Sequence, residues 1–504
     1  MPGNSIDKVL IANRGEIAVR IIRACREMGI TSVVIYSDID QAALAVRLAD
    51  EAIPIGPALA SQSYLNGPKI IQAALQSGAQ AIHPGYGFLS EDGDFAQMVQ
   101  DAGLIFIGPT PDTIRAMGDK AQARRMMQAA GVPVVPGYHD LDDEVSLLHA
   151  AGEIGYPVII KAAAGGGGKG MRVIWEPRLL DEGMSAARRE AAHAFNDDRL
   201  ILEAYIPKAR HIEFQILADE RGKIVHLFER ECSVQRRHQK IIEETPSPTL
   251  DEQLRQEMGT IAIHAAQTVN YTNAGTVEFI YDPDRGAFFF LEMNTRLQVE
   301  HPITELVTGL DLVQWQIRIA AGESLPFKQD QLSQRGHAIE CRIYAEDPEN
   351  NFLPATGPLL RFIEPGGPGI RVDSGFTSGD EISIHYDPLI AKIIACAEDR
   401  PSAVRKMQAA LQDLVILGLP TNWRFLLDVL ASKDFQAGQV YNTWIEKHFG
   451  DWKNPICDLP PEVLIAAALT IFSNETMRPD ISAQLAQKDP FSPWNIANRF
   501  RTGE

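Results

Sequence analysis

Residues 159–170 (IIKAAAGGGGKG) have the composition of a loop that binds phosphate. Four consecutive glycines let backbone N–H groups approach an anion closely, and the lysines on either side add compact positive charge. A flexible surface loop is the alternative interpretation. Because strand-like runs flank the loop, we favour a turn between two strands that covers phosphates from above. The residues concerned are Gly165, Gly166, Gly167 and Gly168, between Lys161 and Lys169.

This glycine loop matches neither of the two common nucleotide-binding glycine motifs. A P-loop needs a glycine where the chain has Ala163, and a serine or threonine where Gly170 follows Lys169. Three of the glycines do have the G-x-G-x-x-G spacing of dinucleotide sites, but the next residues, 171–175 (MRVIW), predict a strand and not a helix. The sequence therefore predicts a polyphosphate site of a different kind.

Alternate residues from 292 to 300 are polar and would share one face of an extended chain. Side chains two positions apart in a strand lie about 6–7 Å apart on the same face. Glutamate with asparagine suits Mg²⁺ or Mn²⁺ bound with phosphates, whereas arginine with glutamine suits a small planar oxyanion. A solvated strand face has the same period. The polar residues are Glu292, Asn294, Arg296, Gln298 and Glu300.

Three further segments add charged candidates. Glu278, in the strand-like run 276–279, could bridge divalent ions to a triphosphate together with Glu292. Arg342, in the run 339–343, could stabilise a developing oxyanion. The run 235–240 (QRRHQK) is basic within an acidic chain. The alternative interpretations are a solvent-facing strand residue, a surface ion pair and a solvated turn, respectively.

The hydrophobic pattern predicts the elements that must position these residues. Alternating buried strands and amphipathic helices up to residue 108 indicate a parallel sheet of the nucleotide-binding type. The turn 13–16 (NRGE) has one glycine where a dinucleotide site needs three, which disfavours NAD binding. We expect Asp119 to cap a helix and residues 132–137 to form a hinge. The pattern from 133 to 206 then predicts a small mobile lid.

Length and composition restrict the class of protein. With 504 residues, 45% hydrophobic and 22% charged, the chain has the size and composition of a multidomain enzyme. The formal charge of −19 disfavours nucleic acid and anionic membranes as partners. The 5 cysteines are scattered singly, which argues against a zinc cluster or a disulfide framework. No apolar run approaches the length of a membrane span, and we expect a cytoplasmic protein.

In combination these motifs resemble the biotin carboxylase family of ATP-grasp ligases, from residue 6 to about residue 448. The resemblance is carried by the glycine loop and by residues 11–18 (IANRGEIA), 83–91 (HPGYGFLSE), 235–240 and 292–302 (EMNTRLQVEHP). It implies α/β and α+β architecture in three domains. These are a Rossmann-like N-terminal domain (1–118), an ATP-grasp domain (119–335) with its mobile glycine-rich lid (about 133–206), and a mixed α+β C-terminal domain (336–450).

Residues 451–504 form a C-terminal extension in this division. The extension weakly resembles the stretch after the carboxylase core in α subunits of acyl-CoA carboxylases, where it could dock a partner. A stand-alone helical appendage is the equal alternative.

The resemblance also implies a role for each candidate residue. Two ions of Mg²⁺ or Mn²⁺ would be held by Glu278, Glu292 and Asn294. Lys169 departs mildly from the family, in which Arg is frequent at that position. ATP would contact Glu278, Glu292, Lys120, Lys161, the glycines Gly165, Gly166, Gly167 and Gly168, Glu203, the Ile206 backbone, His211, Gln235 and His238.

The implied reaction is the carboxylation of biotin by bicarbonate and ATP. Lys240, Arg296, Gln298 and the Val299 backbone would hold bicarbonate, and Glu300 would deprotonate it so that an oxygen attacks the γ-phosphorus. The carboxyphosphate so formed collapses to CO₂ and phosphate, and phosphate takes the biotin N1′ proton. Tyr86 and Arg342 would contact the biotin ureido ring, with Arg342 stabilising its oxygen. The catalytic residues implied are Glu300, Arg342, Arg296 and Lys240.

The chain contains no Met-Lys dipeptide, so the biotinylation signature of carrier domains is missing and we expect a separate carrier protein. The other expected partners are a carboxyltransferase subunit and a second copy of the chain, with Arg23 and Glu27 as a candidate contact. The acceptor stays open among acetyl-CoA, propionyl-CoA, another acyl-CoA and pyruvate. An ATP-grasp ligase that joins a carboxylate to an amine, and a catalytically silent subunit, are the competing functions.

Overall fold

The computed structural model describes residues 5–138, 144–162, 171–195, 197–237, 239–455 and 461–476. The chain divides into two compact units, residues 1–452 and 453–504. Among the described residues, none of the helices combines the length and the hydropathy that a membrane span requires.

A parallel sheet with strand order β3-β2-β1-β4-β5 opens the first unit. Helix α1 buries Ile17, Ile21 and Cys25, which recur every four residues and so lie on one face. The predicted Rossmann-like sheet is therefore confirmed. Its strands are β1 (Lys8–Ile11), β2 (Thr31–Ser37), β3 (Glu51–Gly56), β4 (Ala81–His83) and β5 (Ile105–Phe106). Its helices are α1 (Gly15–Glu27), α2 (Leu44–Leu48), α3 (Gly67–Ser77), α4 (Gly93–Asp101) and α5 (Pro111–Gly118).

The lid region follows helix α6 (Lys120–Ala129). Asp119 caps this helix as predicted, since its carboxylate accepts a hydrogen bond from the Gln122 N–H at 2.9 Å. An antiparallel sheet of order β6-β9-β7-β8 comes next. The glycines Gly165, Gly166, Gly167 and Gly168 and their neighbour Lys169 lie outside the described residues. The elements are β6 (Gly137–Tyr138), α7 (Glu144–Ile154), β7 (Val158–Ala162), β8 (Arg172–Ile174), α8 (Leu180–Phe195) and β9 (Leu200–Ala204).

Most of the remaining strands join one antiparallel sheet of order β14-β13-β10-β11-β12-β15-β22-β20. Every residue of β10 and β15 is buried, so both faces of the sheet are covered. The strands after the lid are β10 (Arg210–Ala218), β11 (Ile224–Arg236), β12 (Gln239–Thr245), β13 (Asn273–Asp282), β14 (Ala287–Asn294), β15 (His337–Tyr344), β16 (Glu346–Asp347), β17 (Leu353–Pro354), β18 (Gly357–Pro358), β19 (Arg361–Ile363), β20 (Ile370–Ser374), β21 (Glu381–Ile382), β22 (Leu389–Ala397) and β23 (Val415–Leu417).

This eight-stranded sheet crosses the domain boundary that the sequence predicts at residue 335. Strand β12 pairs with β15, with Glu243 opposite Glu340, so segments from both sides of the boundary share one hydrogen-bonded ladder. The division into domains at 118, 335 and 450 stays a prediction.

The helices after the lid cover the large sheet and build the C-terminal core of the first unit. In that core the Phe425 ring lies 5.0 Å from the ring of Phe352, 5.7 Å from Phe449 and 5.6 Å from Trp452. Residues of helix α16, in the second unit, are exposed from Pro461 to Thr470. The helices after the lid in the first unit are α9 (Glu252–Thr268), α10 (His301–Thr308), α11 (Leu312–Ala320), α12 (Arg400–Asp413), α13 (Trp423–Ala431), α14 (Lys433–Gln436) and α15 (Trp444–Phe449), and α16 (Pro461–Thr476) belongs to the second unit.

The substitution Phe425→Ala tests how far this aromatic core stabilises the fold. Phe425 is 0% exposed, so its removal leaves a cavity and lowers the free energy of unfolding by about 3–5 kcal/mol. Chemical denaturation followed by tryptophan fluorescence measures the change. Leu360→Ala, at a side chain 67% exposed, is the control and shifts the midpoint little. Equal shifts for the two variants would contradict the assignment of Phe425 to the core.

Candidate active site

The ammonium group of Lys240 lies among three carboxylates that come from separate segments of the chain. Its Nζ is 2.5 Å from Glu213, 2.9 Å from Glu278 and 2.7 Å from Glu300. Lys240 belongs to β12, Glu213 to β10 and Glu278 to β13, and Glu300 immediately precedes α10. Glu213 and Glu278 are paired directly in the β10–β13 ladder. The register of the sheet therefore brings the first two carboxylates together.

Opposite charges keep Lys240 and Glu300 ionised in this buried cluster, whereas burial raises the pKa of Glu213. Burial lowers the pKa of Lys240, but its three carboxylate neighbours outweigh burial and raise that pKa well above its usual value. Burial raises the pKa of Glu300, but Lys240 and Arg342 outweigh burial and hold that pKa well below its usual value. Glu300 is therefore a carboxylate at neutral pH and can accept a proton from an acidic ligand.

Arg342 reaches the same cluster from β15. Its Nη2 donates to Glu300 Oε2 at 3.0 Å, and its Nε donates to Glu243 Oε1 at 2.5 Å. Burial raises the pKa of Glu243 to about 7, against the lowering effect of Arg342. Only 7% of Arg342 is exposed, so the alternative that it forms a surface ion pair is wrong. The guanidinium is held between two carboxylates and keeps part of its donor capacity for a ligand.

The polar segment 292–300 is extended only in its first part. Strand β14 ends at Asn294, and the chain then turns, with the Gln298 carbonyl accepting from the His301 N–H at 3.3 Å. The prediction of one extended face from 292 to 300 is therefore wrong beyond Asn294. The turn occurs because Glu300 is the N-cap of helix α10, which carries Pro302 in its first turn.

The turn still brings the predicted side chains together. Arg296 Nη1 donates to Gln298 Oε1 at 2.9 Å, and its Nη2 donates to Asn294 Oδ1 at 3.2 Å. Gln298 Nε2 in turn donates to Glu278 Oε1 at 3.1 Å. Outside this set, Arg296 Nε donates to Glu91 Oε2 at 2.8 Å. The cation and the amide are thus held side by side next to the Lys240 cluster, as a planar oxyanion requires.

Glu278 and Glu292 have the positions and chemistry of ligands for a divalent cation. They are directly opposite each other in the β13–β14 ladder. Glu278 Oε1 accepts from Asn294 Nδ2 at 2.8 Å, and Glu292 Oε2 lies 2.8 Å from Lys120 Nζ. Oxygen ligands of this kind suit Mg²⁺ or Mn²⁺. These residues therefore fit the metal that the sequence suggests.

Residues predicted to contact the nucleotide form two pairs, one in the lid sheet and one between β10 and β11. Lys161 Nζ lies 2.5 Å from Glu203 Oε2, and Arg124 donates to the other oxygen of Glu203. Gln235 Nε2 lies 2.9 Å from His211 Nδ1, and His211 Nε2 lies 2.8 Å from Glu278 Oε2. His211 thus links the pair between β10 and β11 to the cluster around Lys240.

Ile206 and His238 are two further residues predicted to contact the nucleotide. The Ile206 carbonyl accepts from the Ala209 N–H at 3.2 Å, in the loop between β9 and β10. His238 lies outside the described residues.

Tyr86 makes a partly buried contact with the start of helix α1. Its hydroxyl donates to the Glu16 carboxylate, and Lys392 Nζ lies 3.1 Å from the same carboxylate oxygen. Burial, followed by the negative charge of Glu16, raises the pKa of Tyr86 well above its usual value. Tyr86 is therefore a neutral phenol that donates its proton to Glu16.

The sequence reasoning missed several members of the cluster. Glu213 shares its face of β10 with His211 and Gln215, so the polar alternation 211–215 was a signal that could have found it. Arg230 is 0% exposed and donates to Glu213, yet it occurs in a run of charged residues with no distinctive pattern. Glu243 shows no separate motif either. Their partners are distant in sequence, and only the sheet register brings them close.

Family models match most of the chain. The model described as "Biotin carboxylase, N-terminal domain" matches residues 5–114, and the model "Carbamoyl-phosphate synthase L chain, ATP binding domain" matches residues 119–328. The model "Biotin carboxylase C-terminal domain" matches residues 340–447. Three consecutive models thus cover the part of the chain that holds the cluster.

Individual relatives agree with the family models. The chain is 51% identical to the methylcrotonoyl-CoA carboxylase subunit alpha, mitochondrial, of Rattus norvegicus, over 99% of this chain and 70% of the relative. It is 52% identical to the biotin carboxylase of a Nostoc species, over 88% of this chain and 99% of the relative.

A solved structure supports the same relationship. The biotin carboxylase domain dimer of the Hydrogenobacter thermophilus 2-oxoglutarate carboxylase, in complex with MgADP, ADP and bicarbonate, is similar with a TM-score of 0.85 at 46% identity. The match covers 89% of this chain and 99% of that structure. The Rossmann-like and ATP-grasp architecture that the sequence predicts is therefore confirmed. The chain belongs to the biotin carboxylase family of ATP-dependent ligases.

Proposed function

We propose that this chain carboxylates biotin on a separate carrier protein, with ATP and bicarbonate as co-substrates and carboxyphosphate as the intermediate. The observation that carries the proposal is the ionised Glu300 carboxylate, buried between Lys240 at 2.7 Å and Arg342 at 3.0 Å. This arrangement supplies a base next to two cations, which a reaction between bicarbonate and a phosphoryl group needs.

Bicarbonate binds at the turn before helix α10. Arg296 and Gln298 contact its oxygens together with Lys240 and the Val299 backbone, and Glu300 takes its proton. The resulting carbonate oxygen attacks the γ-phosphorus of ATP, the bond to ADP breaks, and carboxyphosphate forms. The positive charge of Lys240 offsets the charge that develops on the transferred group.

ATP binds between the large sheet and the lid. Lys120 and Lys161 contact its phosphates, and the glycine loop covers them so that water is excluded from carboxyphosphate. Mg²⁺ or Mn²⁺ held by Glu278, Glu292 and Asn294 neutralises phosphate charge when it is bound. The remaining contacts to the nucleotide come from Gly165, Gly166, Gly167, Gly168, Glu203, Ile206, His211, Gln235 and His238.

Biotin binds on the side of Arg342 and Tyr86. Carboxyphosphate breaks into CO₂ and phosphate, and the phosphate removes the N1′ proton of biotin. Arg342 stabilises the negative charge on the ureido oxygen while N1′ attacks CO₂. The products are carboxybiotin, ADP and phosphate.

We propose an acyl-CoA as the final carboxyl acceptor, reached through the biotinylated carrier and a carboxyltransferase subunit. The relative from Rattus norvegicus, named for methylcrotonoyl-CoA, supports this choice. A 2-oxo acid acceptor is the second candidate, because the similar solved structure belongs to a 2-oxoglutarate carboxylase. Comparing the rates at which the reconstituted complex carboxylates an acyl-CoA and a 2-oxo acid tests the choice of acceptor.

We also propose that the chain acts as a homodimer in the cytoplasm.

The substitution Glu300→Gln tests the base. We expect the rate of ADP release that depends on both bicarbonate and biotin to fall by about 10²–10⁴-fold, because an amide cannot take the bicarbonate proton. A coupled ADP assay with MgATP, bicarbonate and free biotin measures it. Glu51→Gln, which removes one carboxylate from an exposed pair with Lys8, is the control. Full activity of Glu300→Gln would contradict the proposal.

The substitution Lys240→Met tests the electrostatic origin of the low pKa of Glu300. The base works only when deprotonated, so activity is lost as the pH falls through its pKa. Without Lys240, which opposes the effect of burial, the pKa of Glu300 rises and the acid limb of the pH–rate profile moves to higher pH. Because the rate itself also falls, the shape of the kcat/KM profile for bicarbonate is compared with wild type and with the exposed control Lys433→Met. An unmoved acid limb would contradict the assignment.

The substitution Glu292→Gln tests the proposed metal ligands. Loss of one carboxylate should raise the Mg²⁺ concentration for half-maximal activity by about 10-fold or more. Even residues that only hydrogen-bond to a metal ligand change metal affinity by about that factor. Titration of free Mg²⁺ at saturating ATP measures the change. The exposed control Glu323→Gln should leave the titration unchanged. An unchanged Mg²⁺ requirement in Glu292→Gln would show that Glu292 is not a metal ligand.

A further inference from the structure

A row of charged side chains is buried on one face of the large sheet, beside the cluster around Lys240. Arg342 of β15 is paired with Lys392 of β22, and Lys392 is paired with Asp373 of β20. Glu340 lies two residues before Arg342 and therefore on the same face. All four are buried. The reaction proposed above uses only Arg342 of these residues.

Lys392 is 0% exposed and makes contacts on three sides. Its Nζ donates to the Val299 carbonyl at 2.7 Å and lies 3.1 Å from Glu16 and 3.8 Å from Asp373. Burial lowers its pKa, but Glu16, then Glu340 and Asp373, outweigh burial and raise it. Lys392 is therefore a buried cation that holds a backbone carbonyl.

The carbonyl that Lys392 holds belongs to the peptide between Val299 and Glu300. Because a peptide unit is planar, a fixed Val299 oxygen also fixes the N–H and the Cα of Glu300. Glu300 is the N-cap of α10, so the direction of its side chain depends on this peptide. The backbone of Val299 is also part of the proposed bicarbonate site.

The second contact of Lys392 is with Glu16, which also contacts a residue of the proposed biotin site. The Glu16 oxygen near Lys392 Nζ also accepts from the Tyr86 hydroxyl. One ammonium group thus contacts the turn that ends in Glu300 and the carboxylate that holds Tyr86.

We propose that Lys392 is a positioning residue that orients the Val299–Glu300 peptide for bicarbonate and, through Glu16, holds Tyr86 beside the biotin site. The role rests on the proposed function, since it presupposes Glu300 as the base. Stability alone does not account for such a group, because a buried ion pair seldom stabilises a fold more than apolar side chains of similar size do. Donation to one particular carbonyl instead selects one orientation of the turn.

The test is the substitution Lys392→Met, which removes the ammonium and keeps a long side chain. We expect kcat/KM for bicarbonate to fall by about 10- to 100-fold, because a reacting group that is displaced by about 1 Å lowers the rate by up to about that factor. The KM for ATP should stay within about twofold of wild type, because the nucleotide contacts do not involve Lys392. A merely structural role would change both parameters together or neither.

Lys406→Met is the matched control. Lys406 Nζ also donates to a backbone carbonyl at 2.7 Å, that of Cys396 on the same strand as Lys392, but away from the cluster. We expect this variant to keep the bicarbonate and ATP parameters of wild type. An equal loss of kcat/KM for bicarbonate in both variants would overturn the proposal.

A second pair of variants covers the case in which Lys392→Met fails to fold. Neither carboxyl oxygen of Glu340 has a hydrogen-bond partner among the described residues, so Glu340→Gln removes one buried acidic group and breaks no such bond. We expect Glu340→Gln to keep wild-type bicarbonate kinetics, and Lys392→Met/Glu340→Gln to show the selective loss. A folded double variant with wild-type kcat/KM for bicarbonate would overturn the role of Lys392.

The wild-type assay separates this inference from the proposed function. ADP release that depends on bicarbonate and biotin in wild type, with unchanged bicarbonate kinetics in the Lys392 variants, overturns the positioning role alone. A wild-type chain without that activity overturns the proposed function and the positioning role with it.

Discussion

The attraction between one buried ammonium and three buried carboxylates is the interaction on which the site depends. Without a cation among them, burial would favour the protonated forms of Glu213, Glu278 and Glu300. Burial still raises the pKa of Glu213, but Lys240 outweighs burial at Glu278 and Glu300 and holds their pKa values well below the usual range. Lys240 lies within 3 Å of all three. Arg230 and Arg342 add positive charge from neighbouring strands. A proton acceptor can therefore stay ionised at a place from which water is largely excluded.

The large antiparallel sheet makes this arrangement possible. Side chains that belong to segments far apart in sequence become neighbours because β10, β12, β13 and β15 lie in one ladder with a defined register. A shift by one residue in any of these strands would turn its charged side chains to the opposite face. The sheet register thus sets which charged side chains become neighbours, and the turn before α10 adds the Glu300 carboxylate.

The contacts of Lys392 connect the site to other parts of the first unit. They join the N-terminal helix α1, the turn that ends in Glu300 and the outer strands β20 and β22. The Rossmann-like part and the C-terminal part of the first unit therefore meet in the same buried ionic row. The sites proposed for bicarbonate and biotin both include residues next to groups that Lys392 contacts.

The sequence by itself determined the local elements and the chemistry of the candidate residues. Helix α1, the Asp119 cap and strand β8 follow from periodicity and capping, which depend on neighbours within a few residues. The tertiary structure alone decided that the strand stops at Asn294, that Arg342 is buried, and that Glu213, Arg230 and Lys392 support the site. These outcomes depend on pairing between residues far apart in sequence. The sequence around a charged residue does not show which distant residue will be its partner in the folded chain.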